Sequence, residues 1–271
     1  MRCWLFWSLP LASFLAAGYA AAELNDTGVV THQNQSGHSA RSEPVAFPGQ
    51  DARFGRDMAA AAGKLKKVGG GTKGFDFTKL DADGKDLPIN AKVWSCVRDN
   101  VTGLVWEVKA KDGGLRDREH LYSWYNPDFA TNGGAAGVQN GGQCAGDIAC
   151  DTYSFVRAVN ATRLCGYTDW RMPWRSELRS IVDYSKAAPD GPPAIDETFF
   201  PNMPVNPPLT APAGFRYMRQ PDNKWFWTGS PEASGDDQMF AWRLTFRDGN
   251  DGFAHKQKLN HVILVRGGGR K

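Results

Sequence analysis

The side chains best suited to chemistry are the arginines and lysines toward the C-terminal end. With Ala241 to Arg247 read as a strand, alternation puts Trp242, Leu244 and Phe246 on one face and Arg243, Thr245 and Arg247 on the other. That reading gives a core face and a short basic stripe. Beyond the Asp248 to Gly252 turn, Lys256 and Lys258 share a face, and the hairpin register decides whether they join the stripe. Guanidinium forks suit sulfate, phosphate or carboxylate groups, so the chemistry indicated is recognition of an anionic ligand such as an acidic polysaccharide. Trp225 and Trp227 offer ring faces for stacking on a sugar. The competing reading is a solvated strand face paired with Asp or Glu, with the tryptophans in the core or at its rim.

Catalytic patterns are weaker. His32, His38, His120, His255 and His261 stand neither at helical metal-ligand spacing nor in a nucleophile motif. Among 29 acidic residues, a carboxylate pair suited to glycoside hydrolysis cannot be singled out by spacing. Asp81-Ala82-Asp83-Gly84-Lys85-Asp86 matches a calcium loop at its first and third positions, but Lys85 stands fifth and Lys92 twelfth, so an ordinary turn is expected. Gly69-Gly70-Gly71-Thr72-Lys73 lacks the Gly-Lys-Ser/Thr order of a phosphate loop. No cofactor, no metal and no enzymatic activity are expected.

The elements that must position these residues follow from periodicity and turn chemistry. Ser95 to Val108 reads as a hairpin, two β-rich runs around Asp99-Asn100 and Gly103. Asp151 caps a helix whose Phe155, Val156 and Val159 face inward, and Cys165-Gly166 ends it. A second helix starts at Ser176 with Leu178, Ile181 and Val182 on one side, after Met172-Pro173 has forced extended backbone. Pro189 to Pro221 is a long excursion, read as a structured surface loop. Lys224 to Thr228, Ala241 to Arg247 and His261 to Arg266 are strand-like. Upstream, 51–90 is an extension in which Asp51 to Lys67 is read as a short helix, with Phe54, Met58, Ala61, Ala62 and Leu65 on one face. Residues 23–50 are a polar lead expected to be disordered.

Residues 1–22 are read as a signal peptide: Arg2, an apolar run interrupted by Pro10, then Gly18-Tyr19-Ala20 and Ala20-Ala21-Ala22 as cleavage patterns. Export to the periplasm or the exterior is expected, with no membrane-spanning segment in the mature chain. The formal net charge of +3 argues neither for nucleic acid nor for strong membrane attraction. Removal of Cys3 leaves Cys96, Cys144, Cys150 and Cys165, an even number for an oxidising compartment. Cys144 and Cys150 enclose a short flexible loop that can close locally, which leaves Cys96 to pair with Cys165. A zinc site is the alternative, but Cys-x5-Cys is not knuckle spacing.

Asp99-Asn100-Val101-Thr102-Gly103-Leu104-Val105-Trp106-Glu107, Leu164 to Pro173, Trp227-Thr228-Gly229-Ser230 and Val265-Arg266-Gly267-Gly268 resemble the Lcl C-terminal domain family, named for a Legionella collagen-like adhesin. The resemblance covers 91–269. It implies an α+β, C-type-lectin-like fold, two helices with small antiparallel sheets and long loops. It also implies an extracellular binding module, linked in the namesake to sulfated polysaccharides and cell attachment. This chain has no collagen-like repeats, so multivalent adhesion does not carry over. The Arg-Met-Pro turn and Val-Arg-Gly-Gly ending also resemble the sulfatase-modifying-factor fold, but the cysteine pair of that enzyme is missing after Gly268. The resulting expectation is a non-catalytic module for an anionic polysaccharide or surface ligand, using Arg243, Arg247, Lys256, Lys258 and Trp225. The alternatives are an envelope scaffold or assembly protein, or a glycan-active hydrolase.

Overall fold

A computed structural model describes residues 25–268 apart from 38, 41, 188–191, 205–223, 234 and 236. The expected signal peptide and much of the Pro-rich excursion lie outside the described residues.

The polar lead differs from the disorder expected of it. Its strands β1 (His32–Gln33) and β2 (Ser39–Ala40) pair antiparallel. It docks through hydrogen bonds: Tyr184 N donates to Thr27 O at 2.8 Å, and Gly28 N donates to an Asp57 carboxylate oxygen at 2.6 Å. Composition underrates such a segment because its anchors are polar. The helix expected over 51–67 is shorter, a 3-10 turn at Asp51–Arg53 followed by α1 (Gly55–Ala61). Phe54 and Met58 are exposed, and the buried side chain is Asp57, whose other oxygen accepts from Gly74 N at 2.7 Å. A carboxylate gripping two backbone amides replaces the apolar stripe.

Strands β3 (Phe77–Leu80), β4 (Asp86–Leu87), β5 (Cys96–Asp99) and β6 (Val105–Glu107) build most of a five-stranded antiparallel sheet. The β5–β6 hairpin is the one read from the sequence. Asp99 closes its turn by accepting from Val101 N at 2.9 Å and from the Thr102 hydroxyl at 2.7 Å. The Asp81 turn links β3 and β4 in the same manner, Asp81 accepting from Asp83 N and Lys85 N at 2.9 Å each. β3 lies beside β5 and is buried along its length, so the folded unit begins before residue 91.

The next two helices, α2 (Thr152–Ala161) and α3 (Arg175–Arg179), are short. Asp151 caps α2 by accepting from Ser154 N at 2.8 Å, and Phe155 and Val159 are fully buried, as the periodicity predicts. Beyond α2 the backbone turns through left-handed Arg163, Cys165 and Gly166. Strands β7 (Trp225–Pro231), β8 (Phe240–Thr245) and β9 (Asp251–His255) form a separate antiparallel sheet, and β10 (Val265–Arg266) returns to pair with β6. The chain is therefore α+β, with few helices and small antiparallel sheets. The described part of the Pro-rich excursion is not all surface. Ala194, Ile195, Phe199, Phe200 and Met203 are buried, and Phe77 packs against the Phe199 and Phe200 rings with centroids 5.4 and 5.6 Å away. Apolar residues between prolines build core here.

Disulfides join Cys96 to Cys165 and Cys144 to Cys150, with Cα atoms 6.5 and 5.6 Å apart. The first ties the five-stranded sheet to the 3-10 turn that follows α2 (Leu164–Gly166) across a sequence separation of 69, against 6 for the second. On the loop-entropy account, the paired Cys96→Ser, Cys165→Ser change should lower stability by about 4 kcal/mol and the Cys144→Ser, Cys150→Ser change by about 2 kcal/mol. Chemical denaturation of the oxidised proteins checks this; equal losses would show that loop length does not set the contribution.

Candidate functional site

The expected basic stripe does not form an open surface. β8 lies between β7 and β9, with Trp227 opposite Arg243 and Arg243 opposite Gly252. The 122–124 segment covers the face that Arg243 shares: the Trp227 indole N–H donates to Tyr122 O at 2.9 Å and the Trp124 indole N–H to Thr228 O at 2.8 Å. Arg243 is half-buried, its guanidinium 4.2 Å from the Trp225 ring centroid and donating to Asn260 Oδ1 at 3.3 Å. Burial lowers its pKa. Arg247 is 2% exposed and pairs with Asp248 at 2.8 Å.

Lys256 is fully buried. Its ammonium donates to the carbonyls of Asn132, Ala135 and Gln238 at 2.9, 2.7 and 2.7 Å, 4.5 Å from the Trp124 ring centroid, and burial pushes its pKa down to about 8. Its contacts staple three loop carbonyls together. Lys258 is exposed and Trp225 lies half-buried under Arg243. The structure therefore brings Arg243 and Trp225 together but buries Arg247 and Lys256 away from any external anion. Alternation assumes one open face and a strand that runs to Arg247, but β8 ends at Thr245, Arg247 lies in the turn beyond it, and Leu244 to Arg247 are buried on both sides. The opposite outcome holds at Trp242, assigned to the core face. It is only half-buried, with the Arg175 guanidinium 3.6 Å from its ring centroid and Phe253 exposed beside it.

Cations without carboxylate partners gather elsewhere. A cleft of about 420 Å³ is lined by Lys92, Trp94, Lys109, Lys111, Arg116 and Asn202, among others. The loop after β6 folds back on itself, Ala110 N donating to Arg116 O and Arg118 N to Ala110 O at 3.0 Å each, which carries Arg116 to the same wall as Lys111. Arg116 Nη1 donates to Val108 O at 2.6 Å, so this charge is fixed by carbonyls and left unneutralised. The Trp94 indole N–H donates to Phe199 O at 2.9 Å, and the buried Lys79 ammonium sits 3.6 Å from the Trp94 ring centroid. Burial, and then the Lys92 charge, lower the Lys79 pKa. Lys109 alone is neutralised, by buried Glu107 at 3.1 Å. Among the described residues no carboxylate lines this cleft, and Lys79, Lys92, Lys111 and Arg116 pair with none. A fixed guanidinium, two exposed lysines and an indole wall make a site for an anionic group. Sequence reasoning missed it because its residues come from three separate segments. The one local signal is Lys109-Ala110-Lys111 followed by Arg116.

An acidic cluster and a buried histidine lie outside this cleft. Asp26, Asp51 and Asp57 bring carboxylate oxygens within 4.8 Å of one another, yet Asp57 accepts from two backbone amides and Asp26 from Thr27 N and Asp57 N at 3.0 and 2.8 Å. Backbone donors serve Asp26 and Asp57, and the Thr27 hydroxyl donates to Asp51. His261 is buried between sheet and core, its ring 5.4 Å from that of Phe226, and its pKa is pushed down to about 3 by burial, with the Lys224 and Lys109 charges adding to the effect.

A family model described as the Lcl C-terminal domain matches residues 95–266. That span contains Lys109, Lys111 and Arg116 but begins after Lys92 and after strand β3. No curated protein matches the chain, and no solved structure does.

The buried imidazole gives a pH dependence. Folded His261 stays neutral while the unfolded chain protonates it below its ordinary value of 6.5, so its contribution is complete above that pH and is lost as pH falls toward about 3. Denaturation from pH 7 to pH 4 should show wild type losing stability relative to His261→Gln by about 1.4 kcal/mol per pH unit below the histidine value. Parallel curves for the two proteins would refute it.

Proposed function

Because the chain belongs to the Lcl C-terminal domain family, we propose that it is an exported, non-catalytic binding module that holds an anionic polysaccharide in the cleft of Lys92, Lys111 and Arg116. One observation carries the reading: cations on two separate segments, Lys92 on one and Lys111 and Arg116 on the other, converge beside the Trp94 wall with no carboxylate among the described lining residues. Clustering like charges costs free energy in the unliganded protein, and an anionic ligand removes that cost. Two disulfides support life in an oxidising compartment, and among the described residues no helix is long and apolar enough to cross a membrane. A lectin-like arrangement of loops over small sheets belongs to the same reading. Lys258, exposed and away from the buried members of the stripe, is at most an auxiliary contact.

Exposed charge-assisted contacts are each worth up to about 1 kcal/mol and weaken once salt screens them over roughly 8 Å. The Lys92→Ser, Lys111→Ser variant should therefore elute from a heparin column at lower salt, with affinity down by about tenfold and an unchanged melting temperature. Wild type eluting with an uncharged control, or the variant eluting with wild type, would refute the assignment.

A further inference from the structure

A second concavity, of about 460 Å³, lies between the start of α2, the 125–131 loop and the Arg171 to Trp174 turn. Its walls are aromatic. The Tyr125 and Tyr153 rings meet edge to face at 86° with centroids 6.1 Å apart, and Trp174 contributes a third ring to the lining. Tyr153 is 38% exposed on the helix, and Phe129 is 79% exposed in the loop between Asn126 and Thr131, both of which line the cleft.

The frame is set before any ligand arrives. Thr152 clamps Tyr125, its hydroxyl accepting from Tyr125 N at 2.9 Å and donating to Tyr125 O at 2.8 Å. Within the loop Asn126 Nδ2 donates to the Thr131 hydroxyl at 2.9 Å, the hydroxyl donates to Asp128 at 2.8 Å, and Asp128 N donates to Asn126 Oδ1 at 3.0 Å. The polar side chains of the loop thus serve the loop.

Charge decides the ligand class. Arg171 is the one charged side chain among the described residues that line the cleft. Both of its terminal nitrogens are committed, to Glu177 at 2.7 Å each and to the carbonyls of Met172 and Gly267 at 3.2 and 2.7 Å. Its charge is matched within the protein, and the Arg157 guanidinium, 5.7 Å from the Tyr153 ring centroid, is not part of the lining, so the lining itself complements an uncharged ligand. Ring faces plus tyrosine hydroxyls suit a molecule with an apolar C–H face and a hydroxyl-bearing edge.

We infer that this cleft binds an uncharged pyranose unit, stacked in the Tyr125–Tyr153 corner. The site stands independently of the basic cleft. It predicts a weak subsite that salt does not disturb, since stacking and neutral hydrogen bonds involve no counterions.

The test is NMR titration of the tryptophan indole signals of the full mature chain with cellobiose, maltose, lactose and N,N′-diacetylchitobiose, each to about 20 mM, a range that reaches the millimolar affinities of single-ring stacking. At least one sugar should give saturable shifts of the Trp124 or Trp174 indole that persist at about 0.5 M salt. Tyr153→Ala, a change at an exposed helical position, should weaken that binding about tenfold. It should leave heparin retention unaltered, whereas Lys92→Ser, Lys111→Ser should leave the sugar shifts unaltered. No saturable shift with any of the four sugars, shifts abolished by salt, or shifts unchanged in Tyr153→Ala would overturn the inference.

Discussion

The clasp between Arg171 and Glu177 is the interaction on which the rest of the structure depends. It joins two neighbouring parts of the chain, the 171–174 turn and the start of α3, to a third that is far away in sequence. Both carboxylate oxygens take guanidinium N–H groups at 2.7 Å, and one also accepts from Trp174 N at 2.8 Å, capping α3. A guanidinium N–H reaches on to Gly267 O. The Arg171 backbone exchanges hydrogen bonds with Val265 at 2.9 and 3.0 Å, and Val265 belongs to β10, which pairs with β6. One residue therefore holds the central turn, the start of a helix and the edge of the five-stranded sheet in fixed relation. Asn160 completes the lock by bonding both Trp170 N and Trp170 O, at 2.8 and 2.9 Å. A lysine at 171 could not serve all these acceptors from one point charge.

The same economy governs the other cations. Arg98 is matched by Asp86, Arg175 by Asp251 and Arg266 by Asp169, at 2.6, 2.6 and 2.8 Å. Lys256 is taken up by three carbonyls and Lys109 by Glu107. With so many charges committed to holding loops, the ones left without carboxylates stand out as surface available to a ligand. Lys92, Lys111 and Arg116 form such a surface, and the aromatic cleft beside the clasp forms a neutral one. Short elements and long loops make this division necessary. A fold with little regular structure must fix its loops with side-chain hydrogen bonds, and arginine and lysine reach farthest.

What could be read from the sequence was local. The β5–β6 hairpin, the Asp151 cap, the turn at Cys165-Gly166 and the apolar face of α2 rest on signals within a few residues, and all are present, whereas α3 ends at Arg179 and the expected Ile181 and Val182 are buried beyond its end. The disulfide pairing followed because one cysteine pair was close enough to close on itself. What failed depended on contacts across the chain. The Arg243 to Arg247 face is covered by the distant 122–124 segment, so alternation named the residues of each face correctly without showing which face would be open. β3 lies outside the family match, in a stretch read only as an extension, yet it sits inside the sheet, where Phe77 meets Phe199 and Phe200 from the Pro-rich stretch. The basic cleft was invisible for the same reason, its members being separated by strands and turns in the sequence.

A double-mutant cycle at the clasp tests this account most directly. Chemical denaturation of wild type, Arg171→Met, Glu177→Gln and the double variant gives the coupling between the two side chains. For a partly exposed but bidentate pair, discounted for solvent screening, the account predicts a coupling of about 2 kcal/mol, with either single change nearly as damaging as both. Additive losses, with a coupling below about 0.5 kcal/mol, would mean that the two side chains act separately and that the clasp is not what holds the turn, the helix and the sheet edge together.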